Sequence, residues 1–123
     1  FTLWQIPSQV DTIGNSYVFQ TDKGRLVVMD GGMNEEAPFL RGFLSALGCE
    51  VEAWFISHPH NDHMGALTEI LKKPGDLKIK KIYHSRFSES LIDREEPYNI
   101  YAREFYAELD KLDPTVTEVI DLK

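Results

Sequence analysis

Short runs of β-branched and aromatic residues open the chain and predict strands at residues 2–6, 16–21 and 25–29. Turn-forming residues at 11–15 separate the first two runs. The turn sequence Asp22-Lys23-Gly24 predicts that the second and third strands pair as an antiparallel hairpin. The chain is therefore predicted to begin with a β meander that ends at the glycine pair of residues 31–32.

Helical periodicity dominates the rest of the chain. Apolar residues recur at three- and four-residue spacing in the segments 35–47, 62–73 and 97–112. Asn34 is the predicted N-cap of the first helix, and Gly48 is its predicted end. Strand-like runs fill the intervals, at residues 51–56, 77–84 and 115–122. Strands that alternate with helices after an opening meander predict a layered α/β fold.

Composition and charge limit the classes of protein to which the chain can belong. Its 123 residues fit one domain at most, and 42% hydrophobic with 27% charged residues is typical of a globular protein. The net charge of −7 provides no basic surface, which argues against a nucleic-acid partner for this segment. The longest apolar runs, at 26–29 and 53–56, are too short to span a membrane. A single cysteine, Cys49, excludes an internal disulfide and is predicted to be a small buried residue.

A histidine cluster provides the candidate chemistry. Three of the four histidines, His58, His60 and His63, lie within a six-residue segment that follows a predicted strand. Pro59 holds the first pair extended, so both imidazoles can face one ion. Asp62 and His63 fall in the first turn of the predicted helix and are well placed for a second ion. The alternative is that Asp62 only caps the helix and that the histidines lie in a loop without binding a metal. A cap alone does not explain the histidine cluster.

Nitrogen ligands with one carboxylate suit divalent transition metals. Zinc fits such a ligand set, manganese and iron also fit it, and the sequence does not choose among them. Two ions about 3.5–4 Å apart can hold a hydroxide nucleophile and polarise the bond that it attacks. The residues therefore predict hydrolytic chemistry that needs no serine or cysteine nucleophile.

One segment of the chain resembles a known family motif. Residues 57–65, which read SHPHNDHMG, are similar to the HxHxDH motif of the metallo-β-lactamase superfamily of hydrolases. Residues 14–18, GNSYV, resemble the early strand of that family, and residues 27–32, VVMDGG, resemble its strand that ends in aspartate and glycine. The three stretches occur in the family's order and spacing, and the resemblance extends over residues 1–85.

The resemblance implies a role for each of five residues. It implies that His58 and His60 bind a first metal ion, and that Asp62 and His63 bind a second. Asp62 is also the predicted catalytic residue. Asp30 matches an acidic residue that supports the site from behind, although it could equally well serve only the glycine turn. The implied cofactors are two divalent metal ions, zinc first, with manganese or iron as alternatives.

The same resemblance implies a fold and a function. The family fold is a four-layer αββα sandwich, and residues 1–123 correspond to one partial domain, its N-terminal half, with a mixed sheet and helices on one face. The implied function is a metal-dependent hydrolase whose metal-bound hydroxide attacks an ester, amide, thioester or phosphoester bond. A third histidine, a bridging aspartate and a final histidine come from the second half in that family, so the isolated chain is expected to be inactive. The alternative function is a non-catalytic metal-binding or assembly module.

The implied partners follow from the same half-fold. A small-molecule or phosphoester substrate is expected, and self-association is expected through the sheet face that the second half would cover. His84 is expected to be a structural residue at the surface or in a hydrogen bond. The acidic residues Asp93, Glu95 and Glu96 are expected to form a solvated loop. The chain begins with Phe1 rather than methionine, and no localisation is predicted.

Overall fold

The computed structural model describes residues 1–8 and 16–122. The predicted turn at 11–15, with Gly14 and Asn15 of the first family stretch, lies outside the described residues. The strands within the described part are β1 Thr2–Gln5, β2 Ser16–Gln20, β3 Leu26–Asp30, β4 Glu50–Phe55, β5 Lys78–Ile79, β6 Lys81–His84 and β7 Glu118–Asp121. The helices are α1 Ala37–Leu47, α2 Asn61–Lys72, α3 Glu89–Arg94 and α4 Asn99–Asp110.

The strands form one mixed sheet in the order β1-β2-β3-β4-β6-β7, with β5 paired to the start of β4. Strand β2 is antiparallel to both β1 and β3, which confirms the predicted hairpin of β2 and β3. The remaining pairings, from β3 to β7, are parallel. Parallel strands need crossover connections, and α1, α2 and the segment containing α3 and α4 provide them. The predicted α/β fold with a mixed sheet is confirmed.

One face of the sheet is buried under helices, and the other is open. Along the buried face, neighbouring strands align fully buried apolar residues, namely Val18, Val28, Trp54 and Ile82. These residues pack with α2 and α4, whose buried side chains include Met64, Leu67, Ile70 and Phe105. The alternate residues of the same strands point to the open face and are only partly buried. The sheet therefore has its helices on one face, as predicted.

The start of α1 differs from the prediction. A 3-10 turn at Asn34–Glu36 precedes the helix, whose N-cap is Glu36 and has no side-chain capping hydrogen bond. The Asn34 amide instead donates to the Glu69 carboxylate on α2, 3.0 Å away. A side-chain contact with another helix therefore replaces the local cap that the sequence suggested. The predicted end at Gly48 is correct, because Gly48 is the C-cap residue of α1. Its φ of 137° lies in a region that favours glycine.

Other element boundaries also changed. The predicted strand at 77–84 is broken at Lys80 into β5 and β6, and the predicted helix at 97–112 is shorter at both ends. Helix α3 was not predicted, because its short sequence contains few apolar residues. Its start is marked by Ser88, whose hydroxyl accepts from the Leu91 backbone N–H. Ile100, one of the apolar residues at helical spacing in the segment 97–112, is 62% exposed rather than buried.

Candidate metal centre

The carboxyl ends of the parallel strands position the candidate site. Asp30 is the last residue of β3, and Ser57 follows β4 closely. The loop from Ser57 then leads directly into α2. The backbone N–H of Ala66 on α2 donates to the carbonyl of Gly32 at 3.0 Å, which ties the helix to the loop after β3. This edge of the sheet is where parallel α/β folds commonly place their ligands.

The loop and the first turn of α2 hold the predicted ligands. His60 is the N-cap residue of α2 in an extended conformation, with φ −98° and ψ 146°. Asp62 and His63 are therefore the second and third residues of the helix, and Asp62 is not the N-cap. The alternative in which Asp62 is only the N-cap of α2 is wrong, because His60 occupies the N-cap position.

The three imidazoles are close to one another. The ring centroids of His58 and His60 are 5.2 Å apart, and those of His58 and His63 are 3.9 Å apart. Asp62 Oδ2 lies 3.6 Å from His63 Nε2. The four residues predicted as ligands are thus brought together at one end of the sheet.

Asp30 lies directly beneath this group. Its Oδ2 is 2.9 Å from His63 Nδ1, and its Oδ1 accepts the Ser57 backbone N–H at 2.8 Å. The Ser57 hydroxyl adds contacts of 3.0 and 2.9 Å to the same carboxylate. A neutral His63 that donates Nδ1–H to Asp30 must keep its lone pair on Nε2, which faces Asp62. Asp30 therefore fixes which nitrogen of His63 is available to a ligand.

The backbone at Asp30 is also unusual. Its φ of 62° is in the left-handed region, and its carbonyl accepts the Trp54 indole N–H at 2.5 Å. Trp54 is fully buried, so this bond anchors the end of β3 to the core. Asp30 thus forms the turn before the glycine pair and also contacts the histidine cluster. The two roles that the sequence suggested for this residue are compatible.

The surroundings of His58 favour its neutral form. Burial lowers the pKa of His58, and the nearby His63 and His60 lower it further. Asp30 and Asp62 act in the opposite direction without reversing the shift. A neutral imidazole has a lone pair for a metal ion, so this shift favours the ligand role that was predicted.

Glu95 is a neighbour of the cluster that was not predicted. Its Oε2 lies 3.2 Å from His60 Nε2, and the ring of Phe87 stands edge-on to His60 at 6.4 Å. The expectation that Glu95 belongs to a purely solvated loop is wrong, because the segment after β6 folds back onto the histidine loop. No sequence signal marks this contact, since 35 residues separate its partners.

His84 lies elsewhere, in the core. It is 4% exposed at the end of β6, and its ring centroid lies 6.1 Å from Phe105 and 6.0 Å from Tyr106. This placement agrees with a structural role and excludes the surface position that was also considered.

The donor atoms of the cluster suit a divalent metal, but their arrangement is incomplete. Imidazole nitrogens and a carboxylate are the ligands that zinc accepts. Within residues 1–8 and 16–122, however, no three histidine, cysteine, aspartate or glutamate side chains already form a group that could hold an ion. Among the same residues, no helix is long and apolar enough to cross a membrane.

Comparison with known proteins identifies similar sequences and folds. The family model of the metallo-beta-lactamase superfamily matches residues 10–122. No curated protein matches the chain. Among solved structures, the metallo-beta-lactamase MIM-1 from Novosphingobium pentaromativorans is 24% identical, with a TM-score of 0.44 over 68% of this chain and 30% of its own. MEM-A1, a subclass B3 metallo-beta-lactamase from a soil metagenome library, is 19% identical, with a TM-score of 0.49 over 86% of this chain and 39% of its own.

A third solved structure, the Rm3 metallo-beta-lactamase, is 29% identical over 55% of this chain and 29% of its own, with a TM-score of 0.37. The chain therefore spans less than two fifths of the length of each of these proteins.

Proposed function

The chain belongs to the metallo-β-lactamase superfamily, and we propose that residues 1–123 form one partial domain that supplies the metal-binding half of a metal-dependent hydrolase. The observation that carries this proposal is the position of Asp30. Its carboxylate holds Nδ1 of His63 and leaves Nε2 directed towards Asp62. A loop without a metal-binding role would not require a nearly buried carboxylate that fixes one histidine tautomer.

The proposed ligand roles follow the chain order. His58 and His60 bind the first ion, and Asp62 and His63 bind the second. The ions are two divalent metals, most simply zinc, because the donor set is imidazole-rich. When bound, they activate a water molecule as nucleophile and polarise the bond that it attacks.

The protein residues orient the reacting groups. Asp62 presents a carboxylate oxygen at the start of α2, beside Nε2 of His63. In this position it can accept a hydrogen bond from the attacking water and hold the water in one orientation, and this is its proposed catalytic role. Asp30 and Ser57 hold His63 from the side of the sheet. The reaction class is hydrolysis of an ester, amide, thioester or phosphoester in a small molecule.

Hydrolysis is tested most directly with Asp62→Asn. In a polypeptide that carries this sequence within a complete domain, we expect metal-dependent cleavage of one member of a panel of β-lactam, lactone, thioester and phosphodiester substrates. Asp62→Asn should lower the rate by about 100-fold or more, since positioned acid–base groups contribute at least that much. Asp22→Asn, which removes a carboxylate that is 90% exposed, is the matched control.

Two results of this assay would each contradict one part of the proposal. Turnover that persists in Asp62→Asn would remove Asp62 from the mechanism. Bound metal without turnover of any substrate would favour the alternative, a non-catalytic binding or assembly module. The isolated chain of residues 1–123 is expected to show no turnover, because its proposed ligands leave each ion with fewer than the usual three or four protein donors.

The open face of the sheet supports a second proposal, self-association of the chain. Side chains aligned across neighbouring strands form a nearly apolar row on this face, composed of Tyr17, Met29, Phe55, Tyr83 and Ile120. Phe55 and Tyr83 stack with ring centroids 4.7 Å apart. A contiguous apolar surface of this kind is rarely left in water by a soluble monomer, and a second copy offers the same surface.

The isolated chain should therefore form dimers or larger species in sedimentation experiments. Met29→Glu, at a residue that is 40% exposed on the open face, should shift it towards monomer. Ile100→Glu, at a residue that is 62% exposed on α4, should leave the distribution unchanged. A parent chain that stays strictly monomeric at high concentration would refute self-association.

A further inference from the structure

The contact between Glu95 and His60 joins two distant parts of the chain. Glu95 Oε2 lies 3.2 Å from His60 Nε2, and both side chains are partly shielded, with exposed fractions of 38% and 40%. The partners are 35 residues apart, so tertiary structure and not local sequence creates the pair. The ring of Phe87 packs edge-on against the same imidazole.

The segment that carries Glu95 contacts both the core and α4. Ile92, three residues earlier, is only 2% exposed and belongs to the core. Arg103 on α4 forms ion pairs with Glu89 at 3.0 Å and with Asp93 at 2.6 Å, which tie α3 to α4. Glu95 follows α3 directly and is its C-cap residue. The backbone of Glu95 is therefore anchored through α3, which keeps its carboxylate close to His60.

The consequence for His60 concerns the choice of ring nitrogen. A neutral imidazole that donates Nε2–H to a carboxylate has its lone pair on Nδ1. His63 shows the opposite choice, because Asp30 binds its Nδ1 and leaves Nε2. Two carboxylates thus act on two histidines of one cluster, each at a different nitrogen. A carboxylate on the far nitrogen fixes the tautomer and raises the basicity of the nitrogen that binds a metal.

We propose that Glu95 is a positioning residue that holds His60 through Nε2, so that His60 presents Nδ1 to the first metal ion. This inference rests on the proposed ligand role of His60. It extends the candidate site beyond the HxHxDH segment to the segment between β6 and α4. Glu95 acts on the ion through His60 and is not itself a ligand.

The test compares Glu95→Ala and Glu95→Gln in the purified chain, with Glu96→Gln as a matched control at the adjacent exposed glutamate. The first readout is zinc affinity, measured by competition with a chromophoric chelator. The second is the tautomer of His60 in the metal-free chain, read from its ring nitrogen chemical shifts at mildly alkaline pH, where imidazole is neutral.

Glu95→Ala should weaken zinc binding by about 10-fold or more and lower the population of the Nε2–H tautomer of His60. Glu95→Gln should bind zinc more like the parent, because its amide oxygen still accepts the Nε2–H. Glu96→Gln should change neither readout. A glutamine variant that loses as much affinity as the alanine variant would make Glu95 a direct ligand and overturn the proposal.

Failure of this inference can be distinguished from failure of the proposed function. Zinc binding that is unchanged in Glu95→Ala, but lost when His58 and His60 are replaced, would overturn the role of Glu95 alone. If the parent chain binds no zinc, these residues do not hold an ion without the rest of the domain, and the tautomer of His60 still decides whether Glu95 orients it. A His60 tautomer that is the same in parent and Glu95→Ala would overturn the orienting contact in every case.

Discussion

Replacing Asp30 with alanine is expected to destabilise the chain by about 2 to 3 kcal/mol, the largest effect on stability among the changes considered at the site. The carboxylate, whose side chain is 6% exposed, contacts Ser57 and His63 at 2.8 to 3.0 Å. Hydrogen bonds to a charged group contribute about 1.5–3 kcal/mol when they are removed. Alanine must also adopt a φ of 62° at this position, which adds strain.

Three companion variants separate these causes in urea unfolding. Asp30→Gly removes the carboxylate but tolerates the positive φ, so it should be less destabilising than Asp30→Ala by about 1 kcal/mol. Asp30→Asn keeps an acceptor for Ser57 and should be the mildest. Asp22→Ala removes an aspartate that is 90% exposed and should change the free energy of unfolding by less than about 1 kcal/mol.

Zinc affinity should decline in all three Asp30 variants, because each changes the partner of His63 Nδ1. Loss of such a partner typically weakens metal binding about 10- to 100-fold. An Asp30→Ala chain with the stability and zinc affinity of the parent would show that Asp30 supports neither the turn nor the histidine cluster.

The sequence predicted the elements on which the site depends because their signals are local. The hairpin of β2 and β3 has a turn signal between its strands, and α2 buries Met64, Leu67 and Ile70 at helical spacing as predicted. The histidine segment lies between a buried strand and a helix start, and both of those are visible in the residue pattern. For these reasons the position of the four candidate ligands could be inferred without the structure.

The parts that were missed depend on contacts between distant segments. Asn34 has the residue type of an N-cap, but its amide binds Glu69 on another helix. Gly65 is explained only by the close approach of that same loop, since an added Cβ would lie 2.6 Å from the Asn34 backbone nitrogen. Glu95 looks like one of several loop acids until the fold places it against His60. Local residue preferences contain no information about such pairs.

Simultaneous replacement of His58 and His60 with alanine is expected to have the largest effect on metal binding. Both imidazoles are proposed ligands of one ion, and their rings lie 5.2 Å apart. Loss of an outer-shell partner weakens binding by up to about 100-fold, so loss of two direct ligands should exceed that. The fold should survive, because neither side chain belongs to the hydrophobic core.

The most direct test of the account is therefore the metal content of a purified polypeptide that carries this sequence within a complete domain, measured by elemental analysis beside the His58→Ala, His60→Ala variant and a Glu96→Gln control. The account predicts near-stoichiometric zinc, manganese or iron in the parent and the control, and loss of that metal in the double variant with its far-ultraviolet circular dichroism unchanged. A double variant that retains as much metal as the parent would contradict the assignment of His58 and His60. A parent that binds no metal at all would contradict the proposal that this half of the fold supplies metal ligands.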